Sequence, residues 1–124
     1  MTPTPRAAPP DPDSLLPLRP LDVLVLTMLV AGERHGYGIR QDILDHSRGR
    51  IELEAGSMYR HIRHLEDEGL VQPAAAHHAP DDDPRRIYYS LTPFGRRVLA
   101  AEMRRLRELV HLAESRRVIA PART

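Results

Sequence analysis

One stretch constrains the chain more than any other: Gly56 to Gly69, which reads GSMYRHIRHLEDEG. Successive residues of a helix turn by about 100°. Met58, Ile62 and Leu65 therefore fall on one side, and three apolar residues at that spacing have to face a core. Arg60 lies nearly opposite, Arg63 and His64 flank it, and Ser57 and Tyr59 sit at the margins one turn earlier. Glu66, Asp67 and Glu68 crowd the last turn, and Gly69 is a natural stop. Carboxylates repel phosphate, whereas the positive end of the helix dipole and its free N–H groups attract it. A basic start and an acidic end are what a DNA recognition helix needs, because its N-terminal residues reach the base edges.

The surroundings read as a frame for that helix. Residues 1–19 hold six of the twelve prolines, a density that opposes helix and points to a disordered or extended arm over residues 1–17. Pro20 suits a first helical turn and Asp22 complements the dipole. The run from Leu21 to Val30 is apolar nearly all round, so this helix is expected to be buried on several sides. Glu33, Arg34 and His35 read as a tight connection into Gly36–Tyr37–Gly38, followed by a short helix to about Ser47 with Ile39, Ile43 and Leu44 inward. Ile51 and Leu53 alternate with Glu52 and Glu54, the pattern of a very short strand or extended link.

After Gly69 the period changes. Leu70, Val71 and Gln72 begin a strand; Pro73 to Pro84 is a turn-rich tip; Arg85 to Leu91, RRIYYSL, is a second strand. Ile87, Tyr89 and Leu91 are expected to share one face. Arg85 and Arg86 stand where the strand meets the tip, within reach of a phosphate. Thr92–Pro93 then starts a long helix to about Arg117. Its residues Leu99, Met103, Leu106, Val110 and Ala113 follow steps of four and three, a heptad seam. A helix placed after the hairpin has little of its own domain left to cover it, so the seam is expected to pack on a second subunit. The expected fold class is mostly α with a small β-hairpin wing: a winged helix-turn-helix over 18–92, a C-terminal dimerisation helix over 93–118 and a disordered tail over 119–124.

HGYGI, Ile51–Leu53, GSMYRHIRHLEDEGL and RRIYYSLTPFG, in that order and spacing, resemble the PadR family of bacterial winged-helix transcriptional regulators. The resemblance covers about residues 18–110. It implies a homodimer on a pseudo-palindromic double-stranded DNA operator, usually a repressor of transporter or detoxification genes, with a small lipophilic or aromatic effector as the releasing signal. Tyr37 resembles a family tyrosine near the phosphate backbone, Ser57 stands where Thr is common, and Tyr59 and Arg60 match a Tyr-Arg pair on the recognition helix. Arg85 and Arg86 match the basic wing residues. Met58 replaces the usual Leu, and His64 sits where Arg is common. The candidate DNA-contacting set is thus Tyr37, Ser57, Tyr59, Arg60, Arg63, His64, Arg85 and Arg86.

Other classes fare worse. A net charge of +1 says nothing by itself about nucleic acid, and all 18 basic residues being Arg fits a GC-rich genome as well as phosphate binding. The absence of Cys excludes a disulfide framework, a Cys-zinc site and a thiol nucleophile, and fits the cytoplasm. No apolar run is long enough to span a membrane and no signal peptide is read at the start. No nucleophile–base set or phosphate loop marks an enzyme, and no cofactor is expected. His61 and His64, three apart, and His77 and His78 before Asp81, Asp82 and Asp83 form the material for a metal-responsive alternative, with the helical pair expected to face the DNA groove. A winged helix used for protein contacts is the other alternative; the basic start of the recognition helix argues against it.

Overall fold

A computed structural model of the protein describes residues 10–74 and 85–122. In chain order these form a one-turn 3-10 helix (Pro12–Leu15), α1 (Pro20–Met28), β1 (Arg34–His35), α2 (Gly36–His46), α3 (Ala55–Asp67), β2 (Val71–Ala74), β3 (Tyr88–Leu91) and α4 (Pro93–Ser115). The strands make one antiparallel sheet in the order β1-β3-β2. The fold is mostly helical with a small sheet, as the hydrophobic periods imply.

The core lies where α1, α2, α3 and the start of α4 meet the sheet. Val25, Leu26 and Leu29 of the first helix and its exit, Ile39 and Ile43 of α2, Met58, Ile62 and Leu65 of α3, and Val98 and Leu99 of α4 form one buried cluster. Leu70, Val71 and Tyr89 join it from the wing. Each fully buried aliphatic side chain contributes about 1.5–3 kcal/mol relative to exposure. α3 closes on Gly69, whose φ of +77° is cheap only for glycine. The Gly69 N–H donates to the Glu66 carbonyl and the Leu70 N–H to that of Leu65, a Schellman ending that turns the chain directly into β2.

Several expectations are corrected. Arg34 and His35, read as a connection, are a strand: Arg34 pairs with Tyr89 and His35 with Tyr88. The pairing partner lies more than fifty residues away, beyond any local pattern. Of the two readings of Ile51–Leu53, a very short strand or an extended link, the link is the one observed, held where Arg40 Nε donates to the Leu53 carbonyl at 2.7 Å. Pro73 lies inside β2, which is tolerated because β2 is an edge strand. Ile87 precedes β3 and is exposed rather than sharing the inner face of Tyr89.

The disordered arm is also corrected within the described residues. The Asp11 carboxylate accepts from the Asp13 N–H, Pro12 occupies the first turn where it costs no hydrogen bond, and Leu15 and Leu16 pack against the core. Glu102, fully buried on α4, accepts from the Leu18 N–H at 2.6 Å and is paired with Arg105. Residues 1–9 lie outside the described residues. At the other end, the tail read as disordered turns back onto α4, where the Ala122 N–H donates to Glu114 Oε2 at 2.7 Å.

The junction between α3 and α4 is the tightest backbone approach. The Thr92 hydroxyl donates to the Gly69 carbonyl at 2.6 Å and accepts from the Gly95 N–H at 2.8 Å, and the Thr92 N–H donates to the Leu70 carbonyl at 3.1 Å. A Cβ on Gly95 would sit 2.0 Å from the Leu70 carbonyl oxygen, a backbone atom that cannot swing aside. Gly95→Ala is therefore expected to destabilise the fold by about 3 kcal/mol. Gly56→Ala meets only Arg60 Nη1 at 3.6 Å in a helix and is expected to be neutral or to stabilise by up to about 1 kcal/mol. Urea midpoints of the two variants check the contrast.

Candidate nucleic-acid interface

Burial of Met58, Ile62 and Leu65 turns the opposite side of α3 outward. Tyr59 is 54% exposed, and Arg60 and Arg63 are exposed beside it. The Arg60 guanidinium folds back toward the first turn, close to Gly56. Arg63 lies over the Tyr59 ring, 5.9 Å from its centroid, with Nη1 3.5 Å from the phenol oxygen. Ser57 is half-buried at the edge of the same end. Glu54 precedes the helix without a side-chain capping bond, so its side chain satisfies none of the free N–H groups at the start of α3.

Tyr37, in the first turn of α2, is 52% exposed. Tyr37 and Tyr59 line a cleft of about 230 Å³ together with the buried Met58, Ile62 and Tyr89. Burial pushes the Tyr89 phenol above its ordinary pKa; the nearby Glu66 carboxylate adds to the rise and Arg63 opposes it. Tyr89 is therefore a neutral part of the lining, and the charge of this face comes from arginine.

Arg85 and Arg86 are exposed before β3. The Arg86 guanidinium lies over Tyr37, 5.3 Å from the ring centroid, which joins the wing to the start of α2. The structure thus links Tyr37, Tyr59, Arg63 and Arg86 across one exposed face, with Arg60 exposed beside Tyr59 near the start of α3. His64 is separated from that group. It lies 3.9 Å from Glu68 and lines a shallow recess with Leu15, Leu18 and Arg19, on the side of the N-terminal segment.

The helical histidine pair does not face one groove. His61 points inward, its Nδ1 3.2 Å from Oδ1 of the buried Asp22. The reason is angular: His61 precedes Leu65 by four residues and so lies about 40° from it, on the packed side. Asp22, read as a dipole partner, has that role and this second one. His77, His78 and Asp81–Asp83 lie outside the described residues.

Two groups escaped the sequence reading. His35 caps α2, its Nδ1 accepting from the Gly38 N–H at 2.9 Å. Arg34 forms a two-point ion pair with Asp42, at 3.0 and 2.8 Å, and bonds the Gly38 carbonyl at 3.2 Å. Both lie on β1, and no local window contains the strand that pairs with it.

The seam expected on α4 divides. Leu99 is spent in the protomer's own core. Met103, Val110, Leu109 and Leu112 are exposed to between 38 and 51%, and Leu106 and Ala113 are half-buried. None of the described helices is long and apolar enough to cross a membrane.

Comparison with known proteins agrees with this architecture. A regulator from Clostridium thermocellum superposes with a TM-score of 0.65 at 22% identity, over 80% of this chain and 90% of that one. A PadR family regulator from Eggerthella lenta gives 0.61 at 28% identity, over 77% and 79%. Bacillus subtilis PadR in complex with operator DNA gives 0.58 at 22% identity, over 68% and 47%. An uncharacterised protein of Lysinibacillus sphaericus is 24% identical over 95 residues, 74% of this chain and 85% of its own length. The model of the transcriptional regulator PadR-like family matches residues 25–101, from the core of α1 through the wing into α4. With more than half its length matched, the chain belongs to the PadR-like family of transcriptional regulators, and it is a DNA-binding regulator rather than an enzyme.

Proposed function

We propose that this regulator is a homodimeric repressor that reads a pseudo-palindromic operator with the N-terminal half of α3. The observation that carries the reading is the meeting of Tyr37, Tyr59 and Arg86 on one exposed face, with Arg60 exposed beside Tyr59 and the acidic turn Glu66–Glu68 at the far end of α3. Arg60 is the candidate for bidentate contact with a guanine. Tyr37, Tyr59, Arg63 and Arg86 position the phosphate backbone. The operator complex of Bacillus subtilis PadR supports this use of the shared fold. Ser57 and Arg85 stay in the contact set as edge positions; His64 is assigned a peripheral role because it lies beside Glu68 and Arg19.

Dimerisation is assigned to the exposed part of α4, Met103, Leu106, Val110 and Ala113, flanked by Leu109 and Leu112. A solvent-exposed apolar stripe of this length on one helix is the surface a partner helix covers. Two copies joined there can hold their α3 helices about one DNA turn, roughly 34 Å, apart. The groove between α1 and α4, about 370 Å³ and lined by Pro20, Val23, Leu24, Arg105 and Leu106, is the proposed seat of a small lipophilic or aromatic effector. An effector that binds one spacing of the reading heads better than another shifts the population and releases DNA. Transporter or detoxification genes in the cytoplasm of a bacterium are the proposed targets.

A gel shift with DNA upstream of the protein's own gene tests the reading; a folded protein that retards nothing at low salt refutes it. Arg60→Ala is expected to cost about 1–3 kcal/mol of operator affinity and to relax the choice of base at one position. Arg86→Ala is expected to weaken all sequences alike and reduce the slope of log affinity on log salt by about one. Val110, exposed in the protomer, can be changed without disturbing the core. Val110→Arg is expected to leave the fold intact, abolish the dimer in light scattering and lower operator affinity by at least about a hundredfold, since each monomer then binds a half-site alone. A variant that stays dimeric refutes the seam.

A further inference from the structure

We propose that the cleft between the starts of α2 and α3 is a thymine-reading site, which takes the 5-methyl group of one operator base. This rests on the DNA-binding reading above. It keeps the phenol groups of Tyr37 and Tyr59 on the backbone and gives their ring surfaces a second use.

The cleft is apolar on a face otherwise rich in arginine. Tyr37, in the first turn of α2, and Ala55 and Tyr59, near the start of α3, are exposed and line it. Met58, Ile62 and Tyr89 complete the lining and are exposed by only 2, 3 and 6%. Arg40 is the one charged residue of the lining, and its Nε is engaged by the Leu53 carbonyl at 2.7 Å. No carboxylate is among the lining residues, and burial keeps the Tyr89 phenol neutral by raising its pKa. Further charge stands beside the cleft: Arg63 lies over the Tyr59 ring at 5.9 Å and Arg86 over the Tyr37 ring at 5.3 Å. Cations flanking an apolar cleft match the layout of a DNA strand, in which phosphates flank the base edges.

Base edges in the major groove present donors, acceptors and one alkyl group, the thymine methyl. A donor or acceptor pressed against Tyr, Met and Ile side chains loses its water and gains no partner, which costs free energy. A methyl group has no hydrogen bonds to lose, and its transfer out of water is favourable. The N-terminal residues of a recognition helix are the ones that reach base edges, and Ala55 is the first residue of α3. A cleft of about 230 Å³ admits a methyl group with the ring edge that carries it. Arg60, the exposed neighbour of Tyr59, is left to the guanine proposed above. α3 thus reads one base pair by hydrogen bonds and another by apolar contact.

The test removes the methyl group and nothing else. In duplexes of the upstream DNA, trimmed to the segment the protein protects, each dT is replaced in turn by dU, which keeps every hydrogen-bonding group of the base. One position in each half-site is expected to lose about three- to fivefold in affinity, the worth of one buried methyl group. With C·G in place of that T·A pair, 5-methyl-dC is expected to bind about three- to fivefold more tightly than dC. Tyr59→Ala is expected to weaken both forms and to bind dT and dU within about 1.5-fold of each other, since the methyl and the ring act as a pair. A merely structural loss lowers both affinities and leaves their ratio as in the wild type. Ala55→Gly, a change at an exposed position, is expected to narrow the same ratio and serves should Tyr59→Ala fail to fold. The proposal is overturned if no dU position costs the wild type more than about twofold, or if the dT-to-dU ratio is unchanged in both variants. A wild type that retards no DNA at low salt overturns the function proposed above, an outcome distinct from these.

Discussion

Burial of one stripe on α3 governs the rest of the molecule. Once Met58, Ile62 and Leu65 are packed against Val25, Ile39 and Ile43, the rotation of the helix about its own axis is set. Tyr59, Arg60 and Arg63 then have no choice but to face outward, while His61 is carried inside and must be met by Asp22. Each buried residue contributes about 1.5–3 kcal/mol, far more than any exposed arginine contact. The proposed reading face is therefore oriented by apolar packing, and its polar groups are placed rather than placing.

The sheet has a matching role for the wing. β1 is only two residues long, too short to be stable alone, yet its pairing with β3 joins the turn before α2 to the strand after the wing tip. His35 is at the centre of that joint: its backbone is in the ladder, one ring nitrogen caps α2, and the other faces Arg86. The wing and the helix-turn-helix are consequently one unit at the surface where DNA is proposed to lie. Arg34 reinforces it by binding Asp42 across the first two turns of α2.

α4 serves two masters along its length. Its first turns belong to the protomer, with Gly95 pressed on the Leu70 backbone, Val98 and Leu99 in the core, and Glu102 holding the segment that leads into α1. Beyond that point the apolar residues turn to solvent. A rigid helix spanning both regions transmits any change at a subunit seam to α1 and the core on which α3 rests. That is the route by which the proposed effector between α1 and α4 would alter the spacing of the two reading heads of the proposed dimer.

The chain's own pattern was enough for the four helices, the hairpin, the inward stripe of α3 and the Thr92–Pro93 start of α4. Each is written in residues three, four or two apart, or in a cap beside its helix, where local chemistry dominates. The 3-10 turn at Pro12–Leu15 was hidden by its prolines, which permit a first turn while discouraging a longer one. Packing alone settled the strand at Arg34–His35, the inward turn of His61 onto Asp22, the removal of Leu99 from the exposed seam and the buried hold of Glu102 on Leu18. All four depend on partners distant in sequence, and the energy of a cross-strand pair or a buried ion pair is set by who arrives opposite. A periodic pattern names the face a residue occupies; only the assembled fold supplies the neighbour that decides what it does there.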